Sequence, residues 1–135
     1  PLSVRGINDI NRVSLRNINF FKKFQIFLTS PANRAFHTAT ILTRNVFETH
    51  ENLRVIQELY SFNYKNVIDY VYKLDNEFSN VVLVGHNPAF SIAAQHLSET
   101  KPPELKTSDW IMLEFEQNDW SKINLGRYTY ESKKS

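Results

Sequence analysis

VVLVGHNPAF, residues Val81 to Phe90, carries more architectural information than any other stretch of the chain. Four consecutive aliphatics, Val81 to Val84, read as a strand buried on both faces, the pattern of a parallel sheet covered by helices. Gly85 ends that strand. His86 and Asn87 follow on the turn, and Pro88 opens the small-residue run AFSIAAQHL, with proline suited to the first helical position and Asn87 to the N-cap. His86 is therefore expected at a strand-to-helix junction. In open α/β sheets the carboxyl ends of the strands face a ligand crevice, and the helices that follow point their positive N-termini into it. An imidazole in that position suits an anion.

The same punctuation occurs earlier in the chain. Phe24 to Leu28 reads as a strand, Thr29 and Ser30 as polar capping residues, and Pro31 as the opening of a helix that runs to about Phe47. Two junctions of one design predict parallel strands whose carboxyl ends share an edge. Arg34 falls one turn into that helix. Helical side chains lean back toward the N-terminus, so its guanidinium can reach over the strand end.

The remaining segments fill out an α/β pattern. Pro1 to Gly6 reads as a turn, and Ile7, Ile10, Val13, Ile18 and Phe21 predict an amphipathic helix over 7–21, with Lys22 and Lys23 favouring its C-terminal end. Leu53 to Leu59 reads as a short edge strand, and Val67, Ile68, Val71 and Leu74 as the stripe of a helix over 63–78. Trp110 to Phe115 and Ser121 to Leu125 read as an antiparallel pair, followed by a polar, frayed tail over 131–135. Phe20, Phe21, Phe24 and Phe27 are assigned to the core. No repeat, low-complexity tract or linker interrupts the chain, so a single domain over 1–135 is expected.

Composition narrows the classes. The 135 residues are 41% hydrophobic and 22% charged, an ordinary globular balance. They contain no cysteine, which excludes a disulfide framework and a thiolate nucleophile and favours a cytoplasmic setting. No apolar run approaches the roughly 20 residues of a membrane span, so no membrane partner is expected. A net charge of +2 is too small to claim nucleic acid. Residues 1–45 hold seven bases against one acid, a balance of +6, which leaves −4 for the rest. Solvated helix faces account for most of those bases, and an acidic or phosphorylated partner is the other reading. The four histidines lack metal-ligand spacing, so no metal is expected. The only methionine is Met112 and the first residue is Pro1, from which residues upstream of Pro1 are expected.

Together, LTSPANRAFHTA (Leu28 to Ala39) and VVLVGHNPAF resemble the histidine phosphatase, or phosphoglycerate-mutase-like, superfamily, and within it the small phosphohistidine-phosphatase branch. PLSVRG, the ELY at Glu58 to Tyr60 and SDWIMLEF after Thr107 fall in family order. The resemblance implies a three-layer α/β/α sandwich, a mostly parallel central sheet with helices on both faces. It also implies a central first strand bearing an Arg-His-Gly triplet. That triplet is absent from this sequence and would lie upstream of Pro1, and without it two neighbouring strands would lack ladder partners.

By the same resemblance the activity is phosphatase chemistry through a phosphohistidine enzyme, without metal or cofactor. The substrate is a phosphorylated protein or a phosphomonoester. Arg34 corresponds to a phosphate-binding arginine and His86 to the histidine that stabilises transition-state charge. Ser30 and Asn87 are read first as caps and second as phosphate contacts. Glu58 lies where some members draw a general acid, against a default of a solvated edge-strand carboxylate. His37 stands where the family often has glutamine and is assigned a supporting, partly buried role, while His50 and His96 match nothing. The alternative to an enzyme is a phosphate-binding module that recognises a phosphorylated protein without turnover.

Overall fold

The computed structural model describes residues 1–134. The chain divides into two compact units, Pro1–Tyr60 with Asn80–Gly85, and Ser61–Ser79 with the residues from His86 onward.

In the first unit the sheet is parallel, in the order β2-β1-β3. Strand β1 (Ile26–Thr29) is buried along its whole length, and Phe27 is 0% exposed. It pairs with β2 (Leu53–Val55) on one side and β3 (Val81–Val84) on the other. The register sets Thr29 opposite both Val55 and Val84. The α/β class and the parallel sheet agree with expectation. The burial of Val81 to Val84 on both faces does not: all four are half-exposed. Among the described residues β3 has β1 as its one ladder partner, so its aliphatics lie at the rim of this sheet. β1 is flanked on both sides.

The helices of this unit depart from the sequence reading at their ends. Helix α1 (Val4–Arg16) starts inside the predicted turn because the Ser3 hydroxyl accepts the Gly6 N–H at 3.1 Å, an N-cap. The single helix expected over 7–21 breaks at Asn17, which donates its side-chain amide and its backbone N–H to the Val13 carbonyl at 2.8 and 3.2 Å. Such local side-chain bonds compete with helix propagation. A short helix, α2 (Ile18–Phe21), follows. Helix α3 (Asn33–Phe47) buries Ala35, Ala39, Leu42 and Val46, one stripe at helical spacing. A polar clasp joins α1 and α3, with the Asn45 amide donating to Asn11 Oδ1 and to Ser14 Oγ, both at 2.8 Å. Phe21 and Phe27 are buried, Phe20 and Phe24 half-buried, and Phe27 meets Phe47 edge to face at 5.5 Å.

The predicted strand 53–59 is shorter, because β2 stops at Val55 and Gln57–Leu59 form a 3-10 turn. Leu59 is the buried residue of that turn, and its N–H bonds the Ile56 carbonyl at 3.1 Å.

The second unit packs helix α4 (Tyr64–Tyr72) on helix α5 (Ala89–Leu97). Val67, Ala89 and Ala93 form their buried contact, with Tyr64, Ile68 and Phe90 against it. Two alanines on one face let the helices approach closely. α4 ends at Tyr72 rather than near Phe78 because the residues beyond it bond elsewhere. The Trp120 indole donates to the Phe78 carbonyl at 2.7 Å, and Asn76 Oδ1 accepts the Trp120 N–H at 2.9 Å.

Strand β4 (Trp110–Glu114) pairs antiparallel with β5 (Arg127–Glu131), not with 121–125 as predicted. Trp120–Lys122 is instead a 3-10 turn held by Asp119, whose carboxylate accepts the Ser121 N–H at 3.0 Å. The aromatic and β-branched alternation of RYTYE fits a strand better. Gly126 introduces β5 at a close approach. A Cβ there would lie 2.9 Å from the Glu114 carbonyl oxygen and 2.9 Å from the Phe115 ring.

The tail is tethered rather than frayed at its start. Asp109 accepts the Lys133 N–H at 2.9 Å and the Tyr130 hydroxyl at 2.7 Å, a bond that pushes the Tyr130 phenol up to about 12. Ser135 lies outside the described residues. No helix of the described chain is long and apolar enough to cross a membrane.

Candidate functional site

The expected site residues fall on both units. In the first, Ser30 follows β1 directly and is 0% exposed. Its hydroxyl accepts the Ala32 N–H at 3.2 Å, which turns the chain before α3 rather than capping the helix. Ala32 takes the N-cap position with no side-chain cap, and Pro31 precedes it, so neither residue has its predicted place. Arg34 is in the first turn of α3 and exposed.

Glu58 is exposed on the 3-10 turn after β2, not on an edge strand. His37 is half-buried, and its Nδ1 accepts the Leu2 N–H at 3.0 Å. With Pro1, Asn33, Phe36 and Thr40 it lines an open depression of about 390 Å³. His50 shares a 3.0 Å hydrogen bond with the buried Thr43 hydroxyl.

In the second unit His86 follows Gly85, one residue beyond β3. Its carbonyl accepts the Phe90 N–H at 2.9 Å and so starts α5. The imidazole is half-buried, and this desolvation lowers its pKa below the ordinary 6.5. Near neutral pH the ring is uncharged, with one nitrogen to donate and one to accept.

Asn87 is exposed and does not cap α5; Pro88 occupies the N-cap, and the Asn87–Pro88 peptide is cis. The Asn87 amide instead donates to the Leu105 carbonyl, while its oxygen accepts the Ser91 hydroxyl at 2.6 Å. Ser91 in turn accepts the Leu105 N–H at 2.9 Å. The loop after α5 is thereby fastened to the residue beside His86. His96 is exposed, with its ring stacked on Tyr64 at 4.5 Å.

One neighbour of His86 escaped the sequence reading. The Phe62 ring lies 6.4 Å from the imidazole, centroid to centroid, tilted by 38°. The sequence signal that could have pointed toward it is the Ser-Phe-Asn triplet at the head of α4, where polar turn formers flank an aromatic. Among the described residues no three histidine or carboxylate side chains gather as a metal ion would need.

No protein-family model matches this chain, and no curated protein sequence matches it. Solved structures do. The protein histidine phosphatase SixA, complexed with tungstate, superposes with a TM-score of 0.74 at 22% identity, over 98% of this chain and 81% of that one. A mycobacterial glucosyl-3-phosphoglycerate phosphatase gives 0.70 at 14% identity, over 96% and 86%. A SixA protein from Agrobacterium tumefaciens gives 0.62 at 21% identity over 71% of this chain, which spans 60% of that protein's length. At these identities the likeness establishes the fold alone: an α/β fold shared with these phosphatase structures.

Proposed function

We propose that this protein is a phosphatase acting on a phosphohistidine or a phosphomonoester, with Arg34 and His86 as its phosphoryl-binding residues. The observation that carries this reading is the register of the parallel pair β1 and β3. Thr29 stands opposite Val84, so the two strands end level. Arg34 follows the first strand and His86 the second. Carboxyl ends of neighbouring parallel strands are where open α/β sheets take ligands, and the fold likeness includes phosphatases.

The chemistry suits these side chains. Phosphoryl transfer is catalysed mainly by positioning and by electrostatic stabilisation of equatorial oxygens. Arg34 offers permanent positive charge in a fork that fits two phosphoryl oxygens. His86 offers a neutral N–H, and the approach of a dianion raises its affinity for a proton, so that its charge arrives with the substrate. The helix N-termini add to the positive field.

The reaction is two-step. The histidine of an Arg-His-Gly triplet, which these 135 residues do not contain, attacks phosphorus as the bond to the leaving group breaks, the leaving group takes up a proton, and water then hydrolyses the phosphohistidine. Arg34 and His86 stabilise both steps and neither is the nucleophile. No metal enters this scheme. An exposed Glu58 can supply a proton to poor leaving groups, and Ser30 and Asn87 act by shaping the two junctions.

Purified full-length protein bearing the nucleophilic histidine should release phosphate from a phosphohistidine or an aryl phosphate in EDTA, and Arg34→Ala and His86→Ala should each lose most of that activity. Turnover that survives unchanged in both variants overturns the assignment. The second reading is a phosphate-binding module that recognises a phosphorylated protein without turnover. It predicts that tungstate or phosphate binds the chain, with loss of binding in Arg34→Ala, while no substrate is hydrolysed.

A further inference from the structure

We propose that Phe62 selects what carries the phosphoryl group: its ring is an apolar wall beside His86 against which a flat ring, joined to phosphorus through oxygen or nitrogen, packs. The proposal rests on the reading of His86 as a phosphoryl contact.

A single exposed apolar side chain is ordinary and by itself says nothing. Phe62 differs in three respects that concern ligand binding. It is 75% exposed. It stands beside an imidazole, with ring centroids 6.4 Å apart.

The third respect is how it is held. Ser61 Oγ accepts the Asn63 N–H at 3.0 Å and the Asn66 side-chain amide at 2.9 Å, and donates to the Asn63 carbonyl at 3.3 Å. Asn63 Oδ1 accepts the Lys65 N–H at 3.0 Å and caps α4. The residues on either side of Phe62 are thus fixed by side-chain bonds to the helix start. An exposed ring fixed in this way binds with less ordering cost than one on a mobile loop.

A phosphoryl oxygen in hydrogen-bond reach of His86 leaves the group on phosphorus only one bridging atom away. A planar group there meets Phe62 in the offset or edge-on range of aromatic pairs, at about 4.5–7 Å between centroids. An ethyl group presents less area and no complementary quadrupole. The same wall can serve an aryl ester, whose ring is joined to phosphorus through an oxygen, and the imidazole of a phosphorylated histidine, whose ring nitrogen is bonded to phosphorus directly.

Titration of the protein with phenyl phosphate, phosphoimidazole, ethyl phosphate and inorganic phosphate tests this. Phe62→Ala should weaken at least one ring-bearing ligand by about two- to tenfold, leave ethyl and inorganic phosphate within twofold, and be restored by Phe62→Trp. A loss confined to phenyl phosphate names an aryl ester as the ligand class, and one confined to phosphoimidazole names a phosphorylated histidine. Arg34→Ala should weaken all four ligands alike. If ring-bearing ligands bind no better than ethyl phosphate, or keep their advantage in Phe62→Ala, the role of Phe62 is overturned while phosphate binding stands. If none of the four binds the unaltered protein, the phosphate reading itself fails and Phe62 falls with it.

Discussion

The two strand-to-helix junctions are written alike in the sequence and are built differently. After β1 come Ser30 and Pro31; after β3 come His86, Asn87 and Pro88. At the first, Thr29 and Ser30 are 0% exposed, and the Ser30 hydroxyl serves the amide two residues on. At the second, Asn87 and Pro88 are exposed, and the Asn87 side chain reaches forward to Ser91 and across to Leu105. A polar residue before proline marks where the chain leaves a strand in both cases. Where that polar side chain goes depends on the strand: among the described residues β1 is flanked on both sides and buries its own exit, while β3 has a ladder on one side and leaves its exit in solvent.

The largest effect that tests this contrast lies in the strands themselves. Phe27→Ala, in the buried strand, should lower stability to urea by about 3–5 kcal/mol, and Val82→Ala, in the half-exposed one, by about 1 kcal/mol. Equal losses would show that the two strands are equally covered in solution. Next comes Arg34→Ala. It should weaken phosphate binding by roughly ten- to a hundredfold, the worth of hydrogen bonds to a charged group, and shift stability by less than about 0.5 kcal/mol because the side chain is exposed. Unfolding of that variant would mean that Arg34 is structural.

Smaller differences separate the exits. Ser30→Ala leaves the Ala32 amide without its acceptor and should cost about 1–2 kcal/mol, with faster hydrogen exchange at Ala32. Asn87→Ala should cost about 1 kcal/mol, with faster exchange at Leu105, whose N–H depends on the hydroxyl that Asn87 orients. The smallest effect concerns pH. The His86 pKa is lowered by desolvation, so the folded protein binds this proton less readily than the unfolded chain. Its contribution to stability is complete above the unfolded value near 6.5 and is lost as pH falls through the folded value. A carbon-bound proton resonance of His86 should titrate below 6.5, and bound phosphate should move that midpoint upward. An unshifted midpoint in both states would remove His86 from the site.

Much of the fold was legible because it is local. The aliphatic runs at β1 and β3, the stripe of α3 and the small-residue face of α5 are set by periods of 2 and 3.6 that composition cannot disguise. What was not legible depends on partners far along the chain. Asn17 breaks a helix that its apolar spacing would continue. Trp120 and Asp119 hold 76–78 out of α4. The partner of β4 is RYTYE, because Asp119 turns the nearer candidate into a 3-10 helix.

The site follows the same rule. His86 and Arg34 announced themselves by their junctions, whereas Phe62 meets His86 only through tertiary structure. Asn87 and Ser30 were read as caps because their residue types favour caps. The tertiary contacts decided otherwise.

Gly126 carries a consequence for how this sequence can vary. Its neighbours Leu125 and Arg127 are exposed, and a side chain of almost any size can stand there. At 126 even a methyl group meets the Glu114 carbonyl oxygen and the Phe115 ring at 2.9 Å. The backbone oxygen cannot rotate aside as a flexible side chain would. In a library of random variants sorted for folded protein, position 126 should therefore retain one amino acid while the positions on either side drift. A single missing carbon would emerge as the most restricted point of the C-terminal strand pair.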